Sequence, residues 1–175
     1  MRPTIDQIRQ LGDFQPMYTW DLSFIQFPNA LRNRPSRGDV NLRCISTGVP
    51  KKSDQNIEIN IRGHKVRQSG IGLYEGTLTL TFVDTIDQTI ADFIYEWQQL
   101  LWEDNTGLAY PTKDIEAIVA ITRLDRENNP VRVYTLYGVK VEDRDHGGEL
   151  GSDTNDVYKP TMTIGYAYFT EENLY

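Results

Sequence analysis

Apolar and polar positions alternate along most of this chain, and the period of the alternation changes from segment to segment. Period two marks a strand with one buried face, because successive side chains on an extended backbone point to opposite sides. In Tyr18 to Phe27, Trp20, Leu22 and Phe24 alternate with Asp21 and Ser23, and Pro28 ends the run. Val40 to Ile45 reads as a second strand. Ile57, Ile59 and Ile61 alternate with Glu58, Asn60 and Arg62. Gly76 to Val83 sets Leu78, Leu80 and Phe82 against Thr77, Thr79 and Thr81, and threonine is a strand former that tolerates water. Ala117 to Leu124 and Val131 to Tyr137, the latter extended by Val139 and Val141, flank the turn cluster Asp125 to Pro130. The last strand is Tyr158 to Phe169, with Met162, Ile164, Tyr166 and Tyr168 on one face.

Two segments follow helical spacing instead. Ile5, Ile8 and Leu11 predict a short amphipathic helix over Thr4 to Leu11, stopped by Gly12-Asp13. Thr85 to Glu103 is the long helix. Thr85 and Gln88 form a capping-box pattern, and Ile90, Phe93, Ile94, Trp97, Leu100 and Leu101 make one apolar stripe. Ile90, Phe93, Ile94, Trp97 and Leu101 are the expected helix core, docked on the outer face of the sheet. Asn105-Thr106-Gly107 ends this helix.

The remaining segments are polar. Arg32 to Gly38 is a basic loop, either simply solvated or in contact with an acidic neighbour. Ser46 to Asn56 is too long for a tight hairpin turn. Gly70 to Gly76 reads as a flexible connector, and Glu142 to Asp156 as a Gly- and Asp-rich loop. The order is helix, four strands, helix, three strands. It predicts an α+β fold: a mainly antiparallel, sandwich-like or barrel-like sheet flanked by one long helix and a short N-terminal helix, with residues 1–175 as a single domain.

Charge and chemistry narrow the function. The formal net charge is −7, a poor basis for gripping nucleic acid, which requires Lys and Arg to displace counterions. Cys44 is the sole cysteine, so no intrachain disulfide or cysteine-cluster zinc site is possible. No apolar run approaches a membrane span, and Met1 to Asp6 has no apolar signal core, so assembly in a cytoplasm without membrane anchoring is expected. Gly70 to Gly76 is GxGxxxG, but a strand follows it where a dinucleotide fold needs a helix. Asp143 to Glu149 departs from a calcium loop at its fifth position, Gly147. His64 and His146 have no ligand spacing between them. No nucleophile, metal or phosphate motif is present, so neither catalytic residues nor a cofactor or metal is expected.

The order of features resembles the tail tube proteins of contractile-tailed bacteriophages over nearly the whole chain. The resemblance rests on Gly12-Asp13-Phe14-Gln15-Pro16 ahead of the first strand, Cys44 with Pro50 six positions on, and Ile57 to Gly63. Phe93-Ile94-Tyr95-Glu96-Trp97-Gln98 in the helix and the aromatic closing strand Thr161 to Phe169 complete it. Two segments depart from the family pattern: the long, Gly-rich Glu142 to Asp156 and the extra loop Arg32 to Gly38. The resemblance implies hexameric rings whose sheets join into an inner barrel, stacked into a tube inside a contractile sheath, with baseplate and tail-terminator partners and DNA passing through the lumen of a virion tail.

It also implies that Thr47, Gly48, Pro50, Lys51, Lys52, Asp54 and Asn56 form an inter-ring loop. If Ile57, Ile59, Ile61, Leu78, Leu80 and Phe82 face the helix-covered core, alternation sends Glu58, Asn60, Arg62, Thr77, Thr79 and Thr81 to the lumen. Tubes of type VI secretion systems and phage-like bacteriocins look similar. A monomeric β-sandwich holding a small ligand and a hydrolase with an acid pair are the competing classes.

Overall fold

The structure is a computed structural model and describes residues 4–10, 14–148 and 150–175. Leu11 of the first apolar stripe, the Gly12-Asp13 stop and Glu149 lie outside the described residues. The strands β1 (Trp20–Gln26), β2 (Cys44–Thr47), β5 (Thr77–Phe82), β6 (Ala117–Leu124), β7 (Pro130–Asp145), β8 (Thr161–Gly165) and β9 (Tyr168–Asn173) form one antiparallel sheet. Its order is β1-β6-β7-β8-β5-β2, with β9 also paired to β7. Strand β7 serves two half-sheets. Its first half pairs with β6 and β9, and its second half with β8. It changes partners at Gly138, whose φ of +65° suits glycine and allows the bend. The two end strands, β1 and β2, do not pair, so the barrel stays open.

Alternation fixes which face is filled. Leu22, Phe24, Leu78, Leu80, Phe82, Val119, Ile121, Leu136, Met162 and Ile164 are all buried in one cluster. Helix α3 (Thr89–Leu101) covers that face with Ile90, Phe93, Ile94, Trp97 and Leu100 buried, while Leu101 is half-buried. Phe24 stacks on Phe27 at 4.9 Å and meets the edges of Phe93 and Trp97 at 5.8 and 6.0 Å. These rings fill the space between helix and sheet, each aromatic pair adding about 0.5–1.5 kcal/mol beyond its burial.

The long helix starts later than the sequence predicts. Thr85 and Gln88 form a turn, and Gln88, at φ +51°, offers no side-chain cap. The cap comes from Asp84, whose buried carboxylate accepts the Ala91 N–H at 2.8 Å and the Thr85 N–H at 2.9 Å. Arg43 donates to the same carboxylate at 2.8 Å and joins Asp39 at 3.0 Å.

Val40 to Ile45 is mostly not a strand. Ser36 accepts the Asp39 N–H at 3.1 Å and caps α2 (Arg37–Arg43), leaving β2 only its last residues and a short extension. The acidic run predicted as loop begins inside β7, which continues to Asp145. The closing strand divides at Tyr166-Ala167 into β8 and β9. Helix α1 (Ile5–Arg9) carries the capping box Thr4/Gln7 and buries no residue. A further short helix, α4 (Thr112–Ile115), had no sequence signal; Ile115 from it enters the core.

The largest difference lies between residues 52 and 74. Strands β3 (Lys52–Ile61) and β4 (His64–Tyr74) pair only with each other, as a two-stranded ribbon outside the main sheet. Ile57, Ile59 and Ile61 do not face the core: they are 52%, 40% and 57% exposed. Their alternation marks a strand correctly, but period two alone does not say what covers the apolar side. The stretch from Lys52 onward is strand, not loop. Gly70 to Tyr74, expected as a connector, pairs with it: Ser53 and Lys52 face Leu73 and Tyr74.

Candidate functional site

Among the described residues three surfaces stand out, and each follows from the fold. The first is the ribbon. Ile61 pairs with His64 across Arg62-Gly63, both at positive φ (48° and 83°), a two-residue turn matched to strand twist. Cross-strand register gives the ribbon two unlike sides. Glu58, Asn60, Lys65 and Arg67 share one side, where Glu58 bonds Lys65 at 2.5 Å and Arg67 at 2.9 Å. Ile57, Ile59, Ile61, Val66 and Gln68 share the other, exposed and without a charged residue. Among the expected loop residues, Thr47 ends β2 and Gly48, Pro50 and Lys51 form the short link, while Lys52, Asp54 and Asn56 belong to β3. Lys51 reaches Glu75 at 3.5 Å, and Lys52 sits 5.5 Å from the centre of the Tyr74 ring.

The second surface is the open face of the half-sheet β7-β8-β5-β2. Thr77, Thr79 and Thr81 lie on it, opposite the buried Leu78, Leu80 and Phe82. Register adds neighbours that sequence reasoning missed: Thr79 faces Thr163, which faces Asp143, and Thr81 faces Thr161, which faces Asp145. The hydroxyls of Thr79 and Thr163 are 3.4 Å apart. The result is a hydroxyl-rich strip, acidic at Asp143 and Asp145, with Lys140 in the row of Gly165 and Thr77. Asp143 and Asp145 were assigned to a loop because the bulge between Val141 and Asp143 breaks their alternation with Val139 and Val141. Glu58, Asn60 and Arg62 are not on this face. Glu58 and Asn60 lie on the ribbon, and Arg62 is in its turn.

The third surface is the seam between the end strands β1 and β2. Helix α2 closes part of it: Asn41 accepts the Leu22 N–H at 2.8 Å, and Arg37 donates to the Ile25 carbonyl at 2.6 Å. Beyond α2 a groove of about 600 Å³ remains, lined by Met17, Tyr18, Trp20, Cys44, Ile45 and Thr47 among others. None of its lining residues is charged. Burial pushes the Cys44 thiol up to about 12, so it is a packing group and not a nucleophile.

The basic loop is spent locally. Arg34 donates to the carbonyls of Leu31 and Asn29, and the Glu96 carboxylate of α3 accepts the backbone N–H groups of Arg32 and Asn33. His146 lies 3.0 Å from the Tyr158 hydroxyl, where it ties the end of β7 to the segment leading into β8.

No family model matches the chain, and no curated protein matches it. Solved structures do. One comes from the sheath–tube complex of PVC, an extracellular contractile injection system, in its extended state. It is 11% identical, with a TM-score of 0.63, over 99% of this chain and 100% of that one. Another, from the tube-terminating cap of the anti-feeding prophage, is 11% identical with a TM-score of 0.64, over 93% of each chain. Hcp1 from Flavobacterium johnsoniae is 8% identical with a TM-score of 0.50, over 89% of this chain and 96% of that one. Matched along nearly its whole length, this chain shares its fold with chains of the PVC sheath–tube complex, the tube-terminating cap of the anti-feeding prophage and Hcp1.

Proposed function

We propose that the chain is a structural tube subunit whose copies form hexameric rings that stack into a hollow conduit within a contractile particle, against sheath, terminator and baseplate proteins. The observation that carries this reading is surface. The chain exposes 12296 Å², whereas a compact monomer of this mass exposes about 8,800 Å². The excess matches several standard interface patches of about 800 Å² per partner. The ribbon, which pairs only with itself and is exposed along almost all of its length, adds to this excess and carries a bare apolar side. A soluble monomer that binds a small ligand between its layers has no use for such an element, and here that space is filled by Phe24, Phe93 and Trp97.

In this reading the ribbon bridges to a neighbouring ring, and the Thr77, Thr79 and Thr81 face, with Thr161, Thr163, Asp143 and Asp145, lines the lumen. Its carboxylates repel phosphate, so a strand of DNA would pass without sticking; a protein cargo would meet the same wet, non-adhesive wall. A virion tail assembled in a host cytoplasm is the setting that the resemblance to phage tubes suggests.

Negative-stain microscopy of purified chain tests the proposal. Rings or tubes are expected at high protein concentration. Replacing residues 53–73 by a short Gly-Ser turn should leave a folded subunit with no long tubes. A wild-type chain that stays monomeric at every concentration, with and without crowding agents, would overturn the proposal. Thr79→Lys with Thr163→Lys should still assemble but retain DNA inside the tube, most strongly at low salt.

A further inference from the structure

The self-assembly reading leaves open what covers the apolar side of the ribbon. Resting on that reading, we infer that its receptor is the seam groove of a second copy, so that Ile57, Ile59 and Ile61 of one subunit pack on Met17, Tyr18 and Ile45 of the next. The two surfaces match in charge. A quarter of the chain is charged, yet none of the groove's lining residues is, with Arg123 bordering it at Met17 (3.9 Å), and the ribbon's apolar side carries no Asp, Glu, Lys or Arg, only His64 opposite Ile61. Both are rich in exposed apolar groups: Met17 and Tyr18 are 75% and 79% exposed, and Ile45 is bulged out of register with β5.

The chain's own ribbon is held elsewhere. Glu75 donates its N–H to the Lys51 carbonyl at 3.1 Å, and Tyr74 meets the edge of Phe169 on β9 at 5.5 Å. In its half-sheet β9 is the edge farthest from β1, where the groove opens. Donor and receptor are therefore two different patches of one subunit, joined where the four-residue link after Thr47 leads from the groove into the ribbon. That is the heterologous, head-to-tail arrangement that generates rings and filaments, not closed dimers. The seam also presents main chain. Strand β2 is an end strand, and exposed edges invite pairing with another chain. Where α2 stops, no side chain among the described residues seals the Trp20 end of β1 as Asn41 and Arg37 seal its middle.

Site-specific cross-linking tests this. In a Cys44→Ala background, one preparation carries Ile59→Cys and another carries Tyr18→Cys. The two are mixed, assembled, oxidised and mapped by peptide mass spectrometry. A disulfide joining positions 59 and 18 is expected in the assembled fraction, at least tenfold above the unassembled fraction, and absent when Glu58→Cys replaces Ile59→Cys. The pair Ile57→Cys with Met17→Cys is mapped in parallel and should behave alike. Separately, Tyr18→Asp should leave a folded monomer, since the side chain is exposed, and abolish sedimentable assemblies. If assemblies form with wild-type yield from Tyr18→Asp, or form from the cysteine variants with neither pair linked, the groove is not the receptor while self-assembly stands. If wild type never assembles, the inference falls together with the reading it rests on.

Discussion

Trp97 donates its indole N–H to the backbone carbonyl of Ile115 at 2.8 Å, inside the core. The bond ties the long helix to the short turn that leads into β6. Two substitutions separate its components. Trp97→Ala removes a fully buried ring and should cost about 3–5 kcal/mol. Trp97→Phe keeps much of the ring volume but leaves the Ile115 carbonyl without its partner, and should cost about 1–3 kcal/mol. Urea denaturation followed by circular dichroism measures both; a Trp97→Phe chain as stable as wild type would mean that the hydrogen bond contributes nothing.

Asp84 is the only buried charged group among the described residues of the core. It caps α3 and receives Arg43, so it joins α2 to α3. Asp84→Ala should destabilise by about 3 kcal/mol, near the low end for a broken buried pair, because Arg43 keeps Asp39. Asp39→Ala, at a more exposed carboxylate, should cost less than about 1 kcal/mol. A larger loss at Asp39 than at Asp84 would reverse this ranking.

Asp87 gives the acid limb of stability a definite sign. Hydrogen bonds from Thr85, Thr89 and Arg43 lower its carboxyl to about 2. A depressed folded value means that its contribution is complete above the unfolded value of about 3.9 and disappears as pH falls from there toward 2. Asp87→Asn should therefore flatten the decline in denaturation midpoint between pH 4 and pH 2.5 and leave the slope between pH 5 and pH 7 unchanged. Midpoints measured across that range in both proteins decide it.

Cys44 gives the alkaline limb the opposite sign. Its thiol is raised to about 12 by burial, above an unfolded value of about 8.5. Its contribution is complete below the unfolded value and is lost as pH rises toward 12. At pH 8 a thiol reagent should label the native chain at least a hundredfold more slowly than the denatured chain. Rapid labelling without denaturant would place the thiol at the surface of the groove and not beneath it.

Where alternation is anchored by packing, the sequence is informative. Leu78-Thr79-Leu80-Thr81-Phe82 reads the same in both views because each strand of that half-sheet has one face under α3. Ile57-Glu58-Ile59-Asn60-Ile61 has the same pattern but a different meaning. Nothing described in this chain covers its apolar side, which the proposed assembly assigns to a partner, and alternation cannot distinguish the two cases. Strand β4 was missed because Lys65, Arg67, Gly70 and Gly72 dilute its pattern, and because its turn is Arg-Gly and not Asn-Gly. Helix α2 had a readable signal in Ser36-Arg37-Gly38-Asp39, a capping residue followed three places on by an acid, but Gly38 masks it. The acidic side of the threonine face is illegible for a different reason. Asp143 and Asp145 join it only through cross-strand register across a bulge.

Strand β1 pairs with β6, and Trp20 lies opposite Arg123. On a ribosome adding about 5–20 residues per second, the first strand to emerge waits on the order of 5–20 s for its partner to be made. Through that interval Leu22 and Phe24 have no cover, and Asn41 and Arg37 have nothing definite to cap. Closing so long a loop is slow relative to local hairpins, whereas the two-residue turn lets the strands of the ribbon meet early, as a marginally stable pair. If the ribbon is the contact arm, as proposed, a growing chain samples that arm before it has a body. Nascent copies on one message would then meet through the arms first, which would make synthesis rate and chaperone supply, as well as concentration, determinants of how many subunits reach an assembly intact.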